Sequence, residues 1–296
     1  MKRVIINADD LGISKGTNQA ILKAFQEGVL SSASVMPNMP AFDDAVTNVI
    51  SKNPSLGIGL HLSLTVGKPV LNKSEVPLLV DETGYFNNSF VHLWYLAIKN
   101  KNALKQIKNE ITAQFDRIHT KKIKINHINS QHHIHMIPHI FDIVLELAMK
   151  YGCHKIRFSE ETLAIKLIDF SRAYYSSALL TDNLIKKIVL HRLAKTNRDK
   201  LTDIQTTDYF YGILNSSFMD CRVLKYILKT VQNGSSEVVT HPGFYSPPAE
   251  DELRSNMLER FLKSKNRRIE YDALIDHSVK KTIADLNIKL INFDDI

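Results

Sequence analysis

Cysteine is almost missing from this chain. Cys153 and Cys221 are the two present, too few for a disulfide framework and never in a Cys-x-x-Cys pair. A reducing compartment is the expectation. There is also no run of 18 consecutive apolar residues, which excludes a spanning helix. Met1-Lys2-Arg3 leads straight into a short apolar run and then acids, with no stretch of signal-peptide length. A cytoplasmic protein with no membrane partner is therefore expected. Linkers rich in Pro, Gly and Ser are missing, as are low-complexity tracts, which argues for a single domain over residues 1–296. No Gly-x-Gly-x-x-Gly follows the first strand, so a dinucleotide fold gains little support. The net charge is +7, yet the lysines are scattered among acids, as between Lys99 and Lys124. No aromatic-interleaved basic motif accompanies them. That pattern is a solvated face, and no nucleic-acid partner is expected.

What is present is an alternation of two hydrophobic periods. Val4-Ile5-Ile6 is a short buried-strand run, and Ile21, Leu22 and Phe25 then share one helical face. The same exchange recurs along the chain. Strands are expected at Val29–Met36, Leu56–Leu64, Ile123–Asn129, Lys155–Ser159, Asp203–Thr207, Glu237–Thr240 and Ile288–Phe293. Helices are expected at Phe42–Ile50, Phe90–Lys99, Leu104–His119, His139–Tyr151, Thr162–Ile168, Asn183–Ala194, Val223–Gln232 and Tyr271–Leu286. Strands alternating with helices imply a parallel sheet. Seven or eight such units predict an α/β fold of one domain, an irregular (β/α) barrel of TIM-barrel type with seven or eight parallel strands. An open doubly wound sheet is the main alternative.

In such barrels chemistry sits at the C-terminal ends of the strands. The titratable residues of this chain gather there. Strand one ends in Asp9-Asp10, and the strand from Leu56 runs into His61. Ile123–Asn126 leads to His127 and the run "HINSQHHIHMIP". Lys155–Phe158 ends in Ser159-Glu160, and Glu237–Thr240 ends in His241-Pro242-Gly243. Alone, each has an ordinary reading: Asp10-Leu11-Gly12 as a turn, His61 as a core histidine, His241-Pro242-Gly243 as a turn. Together, acids and imidazoles at one rim suggest a divalent ion with open positions, as in catalytic sites. Adjacent acids then divide the work, one on the ion and the other kept off it as a base. Tyr85, Phe86, Trp94 and Tyr245 are candidate stacking surfaces for a sugar ring, and the loop Leu71–Asn88 is a candidate cleft wall.

The stretches "NADDLGISKGTNQAI", "GVLSSASVMPNMPAFDDAV", "GIGLHLSLTVGKPV", "HINSQHHIHMIPHIF", "EVVTHPGF" and "LINFDDI" occur in order across nearly the whole chain. In them the chain resembles the YdjC-like carbohydrate deacetylases, the family that includes chitooligosaccharide deacetylases. Residues 160 to 230 match weakly. The resemblance implies one divalent metal ion, Mg or Zn, and hydrolysis of the acetamide of an N-acetylated sugar or oligosaccharide. It implies Asp9 as general base, Asp10 and His61 as metal ligands, and His241 as acid or substrate orienter. Glu160 and Tyr245 are the substrate-binding candidates, and a homodimer stays open. The family usually reads Asp-Ser-His where this chain has Asn129-Ser130-Gln131, so an amide stands at a ligand position. In an extended segment His133 or His135 would share a face with Gln131 and could replace it, His133 being the expected third ligand. The alternative is a weakened sugar-binding or regulatory relative with a degenerate metal site.

Overall fold

The structure is a computed structural model, and it describes residues 1–162, 177–246 and 256–296. Its centre is β1 (Lys2–Leu11), in which every residue from Val4 to Leu11 is buried. A strand covered on both faces carries a continuous apolar run rather than an alternating one. Around it lie β2 (Ser32–Val35), β3 (Gly57–Leu62), β4 (His127–Ser130), β5 (Tyr209–Tyr211), β6 (Gly234–Thr240) and β7 (Lys289–Leu290). The order is β4-β3-β2-β1-β6-β5, with β7 beside β1, and every ladder is parallel. The expected parallel α/β architecture is thus present.

The hydrogen-bonded sheet is curled but open, between β4 and β5. Three isolated parallel bridges cross that gap: Ile128–Ile156, Lys155–Gln205 and Glu161–Phe210. The expected strands at Lys155–Ser159 and Asp203–Thr207 are therefore single bridges rather than ladders. β5 lay outside the sequence-based expectation; at three residues its apolar period is too short to stand out.

Helices cover the sheet: α1 (Lys15–Glu27), a helical turn α2 (Phe42–Asp44) running into a π-helical turn (Ala45–Ile50), α3 (Phe90–Lys99), α4 (Lys101–Thr120) and α5 (Pro138–Lys150). Then come α6 (Ser177–Asn197), α7 (Cys221–Thr230), α8 (Asn256–Lys263), α9 (Lys265–Ile275) and α10 (His277–Asp285). Polar side chains start them: Ser14 accepts from Thr17 N–H, Asn100 from Ala103 N–H and Asp220 from Val223 N–H. The single helix expected over Tyr271–Leu286 is divided at Asp276, whose side chain accepts from Ser278 N–H and opens α10. The helix expected at Thr162–Ile168 lies, beyond Thr162, outside the described residues. Among the described residues, no helix is long and apolar enough to cross a membrane.

The β1–α1 connection is pinned by one side chain. Asn18 accepts from Gly12 N–H at 2.8 Å and donates to Ala41 O at 3.0 Å and to Asp44 Oδ2 at 2.8 Å. The pairing of β1 with β2 is irregular between Ala8 and Leu11, and Asp10 sits at φ +70°. Neighbours in a regular strand point to opposite faces. The irregularity and the left-handed Asp10 let two adjacent carboxylates approach the same partner.

Candidate active site

That partner is His61, at the end of β3. Its Nδ1 lies 3.9 Å from Asp9 Oδ1, and its Nε2 lies 3.8 Å from Asp10 Oδ1. All three side chains are buried, and His61 stands directly opposite Asn129 in the β3–β4 register. Asp10 is no turn former through its carboxylate. One oxygen of that group, Oδ2, accepts from Arg267 Nη1 at 3.1 Å.

Asp9 is held from all sides. Its Oδ1 accepts from Asn7 Nδ2 (2.8 Å), Ser34 Oγ (2.9 Å), Asn129 Nδ2 (3.2 Å) and Arg157 Nη2 (2.8 Å). Its Oδ2 accepts from Arg157 Nη1 at 2.7 Å. Burial by itself pushes this carboxyl up. The Arg157 guanidinium, with help from His61 and His241, more than reverses that and holds Asp9 well below the usual carboxylate range. Arg157 also binds Glu237 Oε1, through Nε at 2.8 Å and Nη2 at 2.6 Å, and is fully buried between the two acids. Burial pushes Glu237 up, with Arg157 opposing it.

The proton positions on His61 follow from its neighbours. The Asn129 amide nitrogen donates to Asp9 Oδ1 and to Ser34 Oγ at 3.1 Å, so its oxygen is the end that faces His61. Asn129 Oδ1 lies 2.7 Å from His61 Nδ1, and the Ser34 hydroxyl is already donated to Asp9. In the neutral ring Nδ1 thus carries the hydrogen and Nε2 the lone pair. Gln131 Oε1 sits 2.9 Å from that Nε2. Asp10 Oδ1, buried and beside it, has no hydrogen-bond partner. Asp10 Oδ1, His61 Nε2 and the Gln131 side-chain amide therefore converge on one point of the rim. A divalent cation fits this donor set of one carboxylate, one imidazole and one amide. Among the described residues, no three His, Cys, Asp or Glu side chains group so as to hold an ion.

The segment after β4 departs from the extended form expected of it. Gln131–Met136 is a tight helical turn in which His132 (φ +53°) and His133 (φ +57°) are left-handed. That conformation removes the alternation which would have put His133 beside Gln131. His132 turns to Thr65 Oγ1 at 3.1 Å, and His133 Nδ1 to Ser159 Oγ at 2.8 Å. His135 is held by Ser130 Oγ at 2.5 Å and by Arg157 O at 2.9 Å. His127 packs under the site, stacked on Phe293 with centroids 3.8 Å apart. It needs Gly59 opposite, where a Cβ would come within 2.2 Å of the ring.

His241 follows β6, and its backbone N–H donates to Glu270 Oε2 at 2.5 Å. Its Nδ1 lies 3.7 Å from the same oxygen. Burial pushes this imidazole down, but the Glu270 hydrogen bond and charge, with Asp10 and Asp9, raise it above its ordinary value. Glu160 is placed in ion pairs with Arg198 and His191, and Tyr245 is half exposed beneath Lys263. Their described partners lie outside the Asp9–Asp10–His61 group. Tyr85 and Phe86 are buried, and Trp94 packs edge-on to Phe90.

Sequence reasoning missed Arg157, Arg267, Glu237 and Glu270. Arg157 carried a signal: it is a charged residue between Ile156 and Phe158 in a strand-like run, and a charge there needs buried partners. Nothing local marked Arg267 or Glu270, which lie on α9.

A family model described as YdjC-like protein matches residues 3–285. The chain belongs to the YdjC-like family. Among relatives of that family, it is 29% identical over 293 residues to a carbohydrate deacetylase of Thermoanaerobacter pseudethanolicus, covering 99% of this chain and 98% of that one. It is 40% identical over 206 residues to a carbohydrate deacetylase of Geobacillus stearothermophilus, covering 69% and 76%. A crystal structure from Enterococcus faecalis V583, described provisionally as a cellobiose-phosphate cleavage protein, superposes with a TM-score of 0.74 at 26% identity, covering 99% and 98%. That structure thus shares the fold of this chain.

Proposed function

We propose that this YdjC-like protein is a carbohydrate deacetylase that hydrolyses the acetamide of an N-acetylated sugar with the help of one divalent ion. The named relatives support the substrate class. The single observation that carries the metal dependence is the orphaned Asp10 Oδ1 facing His61 Nε2 and Gln131 Oε1. Asp10, His61 and Gln131 would hold the ion. Bound there, it would polarise the amide carbonyl and acidify an attacking water. Asp9, kept ionised by Arg157, takes the proton from that water as its oxygen bonds the carbonyl carbon. His241, kept protonated by Glu270, gives a proton to the amide nitrogen as the C–N bond breaks. Acetate and a free amino sugar leave. The three bridges across the β4–β5 gap fit a TIM-like barrel whose C-terminal rim is this site.

A second reading has its own observation. Gln131 gives a neutral amide where the family resemblance expects an imidazole, which suits a sugar-binding relative with weak turnover. Ion titration combined with acetate release from N-acetylglucosamine oligomers decides between them. The enzyme reading expects one ion per chain and acetate that appears only when the ion is present. Binding of sugar without ion or acetate would leave the second reading standing.

A further inference from the structure

Gln131 is the unusual member of the donor group. The two left-handed residues that follow send His132 to Thr65 and His133 to Ser159. Each neighbouring imidazole thus has its Nδ1 engaged by a hydroxyl. The third donor stays an uncharged oxygen. Asn129 acts in the same direction. It orients His61 through Nδ1 at 2.7 Å, but with an amide oxygen rather than a carboxylate. A carboxylate there would make the imidazole a stronger donor. It would also face Asp9 Oδ1, to which the Asn129 amide now donates at 3.2 Å. Arg267 draws further on Asp10 by holding Oδ2 at 3.1 Å. The group therefore offers two oxygens and one weakly polarised nitrogen, with one formal negative charge.

We propose that Gln131 turns this position into an oxygen-weighted cation site, tuned towards manganese- and magnesium-class ions and away from zinc. The inference rests on the proposed reading that Asp10, His61 and Gln131 hold a divalent ion. Hard ions accept amide and carboxylate oxygen, whereas zinc gains most from imidazole. Replacing the amide by an imidazole should raise zinc affinity and leave manganese almost where it was.

The test measures ion binding and not turnover. Metal-free protein, its Gln131→His variant and its Gln131→Ala variant are titrated with manganese, read by electron paramagnetic resonance of the free ion. Zinc is titrated against a chromophoric chelator, and far-ultraviolet circular dichroism checks that all three are folded. Gln131→His should tighten zinc by about tenfold or more, the scale that even an outer partner of a ligand carries, and change manganese far less. Gln131→Ala should weaken both ions. Equal shifts of the two ions in Gln131→His, or unchanged binding in Gln131→Ala, would overturn the proposal. If none of the three proteins binds either ion, the metal reading itself falls and this inference with it. A zinc-selective gain in a protein that releases no acetate would sustain the inference and remove the deacetylase reading alone.

Discussion

Asp9 and Asp10 are chain neighbours, both buried, both carboxylates, and the structure treats them oppositely. Asp9 Oδ1 takes donors from Asn7, Ser34, Asn129 and Arg157, and Oδ2 takes a second arm of Arg157. Asp10 takes one donor, Arg267, on Oδ2, and leaves Oδ1 without a partner towards His61 and Gln131. Hydrogen bonds to the charged form stabilise it. Asp9 is thus an anion of fixed orientation. Asp10 keeps an open electron pair, suited to a cation. Division of labour between identical side chains comes from what surrounds them.

The comparison breaks most sharply at Asp9 itself. Asp9→Asn should lower deacetylation by roughly 10²–10⁴-fold, the usual worth of a placed general base, while ion binding persists. Steady-state rates and ion titration on the same sample check this; loss of the ion in Asp9→Asn would show that the two acids have been assigned the wrong way round. Next comes the cation that holds Asp9. Arg157→Met leaves Asp9 and Glu237 buried without their cation, and removing one partner of a buried pair costs about 3–5 kcal/mol. Thermal melting should show a clear fall in Tm, larger than for Arg267→Met. Equal effects would erase the distinction between the two carboxylates. The smallest effect is on pH dependence. His241 acts as an acid only while protonated, so activity should fall as pH rises through its raised pKa. Glu270→Gln removes the charge that raises it, so this alkaline limb should move to lower pH, while the acid limb, set by the depressed Asp9, stays in place. A profile whose alkaline limb does not move would separate Glu270 from the acid.

Much of this was legible in the residues. Val4-Ile5-Ile6 running into Asp9-Asp10, and Leu60 into His61, mark strand ends by period and polarity, and both lie where expected. The parallel sheet follows from strands and helices taking turns. The failures have local causes. The long helix over Tyr271–Leu286 was divided because one aspartate, Asp276, finds Ser278 N–H as a capping partner. The His-rich run was expected to be extended. His132 and His133 instead adopt left-handed backbone, which strand periodicity does not signal. Lys155–Ser159 alternates like a strand, yet pairs only through single bridges.

The sequence by itself determined the order of elements, the polar strand ends and the amide at position 131, because those depend on residue type and near-neighbour spacing. The tertiary structure alone decided which carboxylate is held and which is left open. Arg157 meets Asp9 across 148 residues and Arg267 meets Asp10 across 257, and no local pattern encodes contacts of that range. The irregular pairing between Ala8 and Leu11 with Asp10 at φ +70° brings two consecutive side chains to one imidazole, which a regular strand forbids.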